Sequence, residues 1–334
     1  MNLQGLAVSF KRFCRRQSLK RGPRIAAIGG GTGLPILLRG LKKHTANITA
    51  IVTVADDGGS SGRLRGEFGI LPPGDIRNCL VALAETETLM EKLFNYRFGM
   101  GDGLAGHSLG NLLITALVDI TGDFKVAIQE VSHVLKVRGQ VLPSTLDQVT
   151  LNAELADGTH IFGESRISQA DIPLKRVFLT PASCIAVPEA VSAIQQADLI
   201  LLGPGSLFTS VLPNLLVPGI ATAIKQSRAV KCYICNIMTQ PGETTNFKAS
   251  DHLAAIYDHA GVYPDYIIVN NKRIAQANLE KYAKEGAKEV VVDHHMLQKM
   301  GVRVVKGDFL DEQDLVRHDP QKLARAVLSI ADTR

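Results

Sequence analysis

The chain has no tryptophan and only six tyrosines, which leaves few rings on which a large planar ligand could stack. Cysteine is sparse as well. Cys14, Cys79, Cys184, Cys232 and Cys235 form an odd set with no framework spacing, so reduced thiols are expected rather than disulfides. Cys232 and Cys235 make a lone C-x-x-C inside a predicted strand, where alternate positions face opposite ways, and this argues against zinc or redox chemistry there. No apolar run reaches the roughly 18–20 residues of a membrane span, because the run near residues 25–38 is broken by glycine and proline. The first residues also lack the basic-then-apolar order of a signal peptide, so a cytoplasmic location is expected. The first 24 residues contain no acid at all. They carry Lys11, Arg12, Arg15, Arg16, Lys20, Arg21 and Arg24, which exceeds the +5 of the whole chain. The body is therefore slightly acidic, and the overall pI of about 8.9 is no argument for a nucleic-acid partner.

What the 334 residues do have is 46% hydrophobic content, 21% charge and a mean hydropathy of +0.10, enough to bury a large core. Short β-branched runs alternate with helix-period segments from Arg24 onward, which predicts an α/β fold: a doubly wound, mostly parallel sheet with helices on both faces. Strands are expected at 24–28, 48–54, 176–179, 198–202, 229–235, 266–269, 289–292 and 303–305. Leu34, Leu37, Leu38 and Leu41 recur at helical spacing. So do Leu109, Leu112, Leu113 and Ala116, with Leu117 extending the stripe, and Leu253, Ile256, Tyr257 and Ala260; each stripe is expected to cover a sheet face. Asp319-Pro320 supplies a cap and a first-turn proline for a closing helix. Asp157-Gly158 marks a hairpin, so 138–175 is expected to be a small antiparallel β insertion. The organisation expected is a basic segment at 1–23 and a single domain at 24–334.

The chemistry falls on loops that follow strands. The first strand runs into Gly29, Gly30, Gly31, Thr32 and Gly33 before a helix, a backbone suited to an anion at a helix start. Neither the G-x-G-x-x-G nor the Walker A pattern is met, so a phosphate is indicated but its carrier is not. Asp56, about 25 positions on, is the candidate for a ribose hydroxyl, and Asp56 with Asp57 is a candidate Mg²⁺ pair. Ser60 and Ser61 offer hydroxyl donors, and Arg63 and Arg65 can neutralise phosphate. Gly106-His107-Ser108-Leu109-Gly110 matches a nucleophile elbow without the strand an elbow needs. Ser108 is better read as a helix cap, with Asn111 facing the site or solvent. Later strands open into Gly203, Pro204, Gly205 and Ser206, and into Asn236, Thr239 and Gln240, so several polar loops converge on one sheet edge. His294 and His295 follow the 289–292 strand and are expected to point apart.

GGGTGL, DDGGSSGRLR, PPGDIRN, GHSLGNL, GPGSLFTSVLPNLL and CNIMTQPGET, in that order, resemble the motifs of the gluconeogenesis factors, bacterial relatives of 2-phospho-L-lactate transferase. The resemblance covers residues 24–334 and implies a Rossmann-like fold, a nucleotide-type ligand such as UDP-N-acetylglucosamine or an NAD-like molecule, and cytoplasmic residence. It implies a role in cell morphogenesis during growth on gluconeogenic carbon sources, with cell-wall synthesis or regulatory proteins and a homo-oligomer as partners. The transferase branch implies instead a Mg²⁺-dependent transfer of a phospholactyl group from a guanosine-diphosphate carrier to a deazaflavin. Only Phe68, Phe98 or Phe208 stand ready as a platform for that ring, which favours the regulator. The resemblance supports the five residues from Gly29 to Gly33, Asp56, Asp57, Gly203, Gly205, Ser206 and Asn236 as site residues. Leu3, Leu6, Phe10 and Phe13 recur at helical spacing among the basic residues, which predicts an amphipathic segment suited to peripheral contact with an anionic membrane.

Overall fold

A computed structural model describes residues 17–85, 88–311 and 316–332. The amphipathic stretch of residues 3–13 and Cys14 lie outside the described residues. The apolar run IAAIG becomes β1 (Ile25–Gly29), buried at every position. It is followed by α1 (Gly33–Leu41), β2 (Ile48–Val52), α2 (Gly59–Phe68), α3 (Gly74–Leu83), α4 (Thr88–Asn95), α5 (Leu109–Thr121), α6 (Phe124–Val134) and β3 (Gln140–Pro143). An antiparallel sheet comes next, made of β4 (Thr150–Leu155), β5 (His160–Phe162) and β6 (Leu174–Thr180), with the short α7 (Glu164–Ile167) between the last two. The chain then returns to the other side of β1 with β7 (Leu199–Leu202), β8 (Val230–Ile234), β9 (Tyr266–Asn270) and β10 (Arg303–Gly307).

The large sheet has the order β10-β9-β8-β7-β1-β2-β3, and every pair in it is parallel. The winding direction reverses between β1 and β7, which is where open α/β sheets leave a crevice beyond the strand ends. Helices cover both faces, as a sheet with two apolar sides requires. Leu34, Leu37, Leu38 and Leu41 of α1 are fully buried, each contributing roughly 1.5–3 kcal/mol by leaving water. The helix Pro320–Ala331 packs on α1, and a Cβ at Gly40 would fall 1.9 Å from the Pro320 carbonyl. Its cap is the one the sequence indicates: Asp319 Oδ1 accepts from the amides of Gln321 and Lys322, both at 2.8 Å.

Several expectations need correction. Residues 140–143 belong to the large sheet as its edge, paired in parallel with β2, so the antiparallel excursion is shorter than 138–175. Residues 176–179 lie in that small sheet, because β6 pairs antiparallel with β4. Residues 289–292 form only single bridges, of Glu289 to Met238 and of Val291 to Lys248, and His294 and His295 sit exposed at the start of the helix His294–Lys299. The hairpin turn at Asp157-Gly158 is present, with Gly158 at φ +87°. The leucine stripe of α5 does not cover a sheet: its buried positions are Gly110, Asn111, Ile114 and Thr115, and Leu113 faces outward. Tyr257, the outermost of the third stripe, is also exposed.

All four described cysteines are buried and unbridged, and burial pushes the Cys235 thiol up to about 12. Among the described residues no single helix is long and apolar enough to cross a membrane. The bent pair Leu207–Leu215 and Ile220–Gln226 passes by composition alone, and its Leu207, Phe208, Leu212 and Ile220 are core residues.

Candidate functional site

Three strand-end loops meet at the reversal point. The chain leaves β1 through Gly30 and Gly31, the latter at φ +61°, and enters α1 at Gly33. Thr32 makes no side-chain cap, so the first amides of α1 carry no side-chain partner there and face the loop. A Cβ at Gly33 would sit 2.7 Å from the Pro204 carbonyl oxygen and 2.9 Å from the Gly205 nitrogen, which is why glycine is needed where the two loops touch. Gly203 and Gly205 take φ +82° and +151° after β7. Gly29 and Gly203 are the strand-end residues themselves, one at the tip of β1 and the other just past β7.

These loops wall a cavity of about 290 Å³, with Gly31, Thr32, Gly33, Gly205, Ser206 and Asn236 on its surface. A neutral polar relay crosses it. Gln240 Nε2 donates to Ser206 Oγ at 2.7 Å, Asn236 Nδ2 donates to Gln240 Oε1 at 3.3 Å, and the Tyr233 hydroxyl donates to Asn236 Oδ1 at 3.4 Å. The far wall holds three side chains that sequence reasoning missed: Tyr282, Arg317 and His318. The Tyr282 ring packs beside Ile237, Met238 and Ile274, and Arg317 is an exposed cation at the rim. His318 is buried, which pulls its imidazole down to about 4 and keeps it neutral. No local motif marks these residues; they arrive from a helix and a two-residue strand some 250–290 positions after the first glycine loop.

The other predicted residues gather beside this cavity, around the start of α2. Ser60 Oγ lies 3.0 Å from His107 Nδ1 and accepts from Asn111 Nδ2 at 3.1 Å, so the serine hydroxyl is held between the imidazole and the amide. All three are buried, and burial holds His107 neutral. Ser108 starts α5 without a capping bond. Its Oγ donates to the Phe94 carbonyl at 3.2 Å and accepts from the buried Arg77 guanidinium, so the expected capping role is replaced by a bridge between helices. Arg63 donates to the Ala105 carbonyl at 2.8 Å, and Arg65 to the Val149 carbonyl at 2.8 Å, so both brace neighbouring loops.

Carboxylates dominate this second group. Asp56 accepts from the Gly58 amide at 2.9 Å, and burial raises it. Asp57 turns the other way: its two oxygens accept from the amides of Glu164 and Ser165 at 3.0 and 2.8 Å, anchoring α7. Asp75, which opens α3, accepts from the Gly31 amide at 2.6 Å and is pushed up to about 6 by burial. Glu164 is pushed up to about 8, first by burial and then by Asp56 and Asp57, and the buried Glu243 to about 7. The two groups touch where Gly30 meets Asp75, and the second group is itself tightly packed at Gly74. A Cβ on Gly30 would meet Asp75 at 2.6 Å, and one on Gly74 would meet Ser61 Oγ at 2.3 Å.

A Mg²⁺ ion here would rest on one carboxylate, with ligand phosphates completing its shell. Asp57 is spent on amides, and among the described residues no three His, Cys, Asp or Glu side chains could together hold a metal ion. Asp56 alone remains oriented toward the Ser61 and Gly74 corner.

Residues 25–310 match the model of the 2-phospho-L-lactate transferase CofD family. The chain is 56% identical over 306 residues to the gluconeogenesis factor of Halalkalibacterium halodurans, covering 91% of this chain and 95% of that one. It is 51% identical over 310 residues to the gluconeogenesis factor of Bacillus subtilis, covering 92% and 98%. A crystal structure of a Bacillus halodurans protein, 55% identical, superposes with a TM-score of 0.90 over 92% of this chain and all of that one. With motifs, fold and most of its length shared, the chain belongs to the CofD family, alongside the gluconeogenesis factors.

Proposed function

We propose that the chain binds a nucleotide sugar of the UDP-sugar type in the cavity between β1, β7 and β8, and acts as a cytoplasmic regulator of cell shape during growth on gluconeogenic carbon sources. The observation that carries the ligand class is the pairing of bare helix-start amides with a neutral polar relay. The amides of Thr32 and Gly33 suit a diphosphate, while Ser206, Asn236 and Gln240 suit the hydroxyls and amide edges of a sugar and base. Arg317 at the rim supplies the one guanidinium for phosphate among the described cavity residues, and the Tyr282 ring offers an apolar wall. The relatives' name, gluconeogenesis factor, supports the biological setting.

Calorimetry with UDP-N-acetylglucosamine is expected to give saturable, micromolar binding, about −8 kcal/mol. Weak or absent binding of UDP-sugars, with tight binding of NAD or a guanosine diphosphate, would reassign the ligand. A second reading, transfer from a nucleotide-diphosphate donor, is favoured by the buried Ser60 and His107 in hydrogen-bond contact beside the cavity and by the family model's transferase name. Product release from such a donor, lost in His107→Gln with binding retained, would support it over the regulator.

A further inference from the structure

A second cavity, of about 420 Å³, lies between residues 168–173, which lead into β6, and residues 241–247, which follow β8. It shares no lining residue with the first cavity. Gly242 brings its two walls together: it stands at φ +79°, and a Cβ there would lie 2.8 Å from the Ser168 carbonyl oxygen. Among the described residues that line this cavity, Asp171 and Glu243 are acids and none is a base. Glu243 is 5% exposed. Its Oε1 accepts from the Thr209 hydroxyl at 3.3 Å, while Oε2, shielded from water, has no hydrogen-bond partner. A charged oxygen left unpaired away from water is costly, and burial pushes Glu243 up to about 7. Glu243 in turn adds to the repulsion that Asp56, Asp57 and Asp75 exert on Glu164.

We propose that this cavity binds a small organic ammonium ion, its charged nitrogen donating to Glu243 Oε2 and its carbon stem lying along Phe247, Ile172 and Pro241. The lining carries both parts of that chemistry. Phe247 is held in place by edge contacts with Phe208 and His252, at centroid distances of 6.0 and 5.6 Å, so it offers the stem a fixed apolar wall. Asp171, exposed on the other wall, suits a second ammonium, which makes a short diamine the best match.

A metal ion matches less well. Among the described residues no three His, Cys, Asp or Glu side chains could hold one together, and the apolar wall gives a bare cation no oxygen. An ammonium asks only for acceptors, and its stem packs on apolar side chains while the head keeps its polar partners. A positive charge at Glu243 would also ease the repulsion on Glu164. None of this depends on what the glycine loops of the first cavity hold.

Titration calorimetry of the full-length protein with putrescine, in an amine-free buffer, tests this directly. The expected result is saturable binding with a dissociation constant below about 1 mM, and none for butanediol, which has the same length without the charge. Glu243→Gln should weaken putrescine binding at least about tenfold, with the melting midpoint kept. Asp171→Lys, at an exposed position, should do the same by placing a like charge in the cavity, and it tests the site even if the glutamine variant does not fold. Absence of putrescine binding overturns the proposal. Equal affinity for butanediol, or putrescine affinity untouched by both substitutions, overturns it equally. Mg²⁺ displacing putrescine at equal concentration would assign the corner to a metal ion, and that also refutes it.

Discussion

Asp57→Ala separates a structural aspartate from a ligand-binding one. Both Asp57 oxygens accept backbone amides at the start of α7, at 3.0 and 2.8 Å, and Gly163 just before it stands at φ +100° to bring those amides round. Losing a helix cap costs roughly 0.5–2 kcal/mol, and two amide bonds to one side chain place this one near about 2 kcal/mol. At about 2.1 cal/mol/K per residue, a chain of 334 residues has an unfolding entropy near 0.7 kcal/mol/K, so the melting midpoint should fall by about 3 °C. Gly163→Ala should reproduce that loss from the other side, because its new Cβ would lie 2.6 Å from Asp57 Oδ2. Differential scanning calorimetry reads the midpoint, and titration calorimetry with UDP-N-acetylglucosamine reads the site. The expected pattern is reduced stability with affinity kept within a factor of about two. An unchanged midpoint with binding abolished would refute the reasoning and return Asp57 to the ligand.

Gly33→Val should do the converse: its side chain would enter the Pro204 carbonyl contact at 2.7 Å and spread the two loops, so UDP-sugar affinity should drop at least about tenfold, measured by titration calorimetry. Glu164→Gln should flatten the pH dependence of stability. Glu164 titrates near 8 in the fold against 4.5 when free, so the fold favours its neutral form and loses stability as pH rises between those values; Asp75 does the same from 3.8 to about 6. Urea midpoints at mildly acidic and mildly alkaline pH should therefore converge in the glutamine variant, which should be the more stable protein at the alkaline end. Asp319→Ala, removing two 2.8 Å caps from the closing helix, should cost about 1 kcal/mol in urea unfolding without altering ligand affinity.

The strands legible in the sequence are those whose burial is continuous. Residues 25–29, 199–202 and 266–270 read as β-branched or leucine-rich runs because both faces of a parallel sheet are covered. Residues 140–143 were missed as a sheet edge because QVLP has a polar first position and a terminal proline, as an edge tolerates. Residues 289–292 misled for the opposite reason, being a β-branched run that pairs only at single positions. The glycine loops announced the anion-suited backbone because positive φ and close approach demand glycine at Gly31 and Gly33. Arg317, Tyr282 and His318 were invisible because a side chain can reach a cavity from any element, with no local pattern to record it. The role of Asp57 was likewise hidden, since its partners are backbone amides more than a hundred positions away.

Asp75 explains why the site has two halves and how they communicate. The Gly31 amide, one of the donors a phosphate would seek, already donates to Asp75 Oδ2 at 2.6 Å. A diphosphate on the neighbouring Thr32 and Gly33 amides therefore sets a second negative charge beside a partly buried carboxylate, and like charges in a low-dielectric corner repel. The conflict is relieved if Asp75 takes a proton, which its position near 6 makes inexpensive, or if it releases Gly31 and shifts toward Arg77. Either response acts on the first turn of α3, where Gly74 touches Ser61 and Asp56. Occupancy of the cavity should thus be felt at Ser60, His107 and Asn111 through one helix start. Under the proposed binding mode, a ligand that only filled the cavity without meeting the Gly31 donor should leave that path silent, and a phosphate, more than a sugar or base, should be what is felt there.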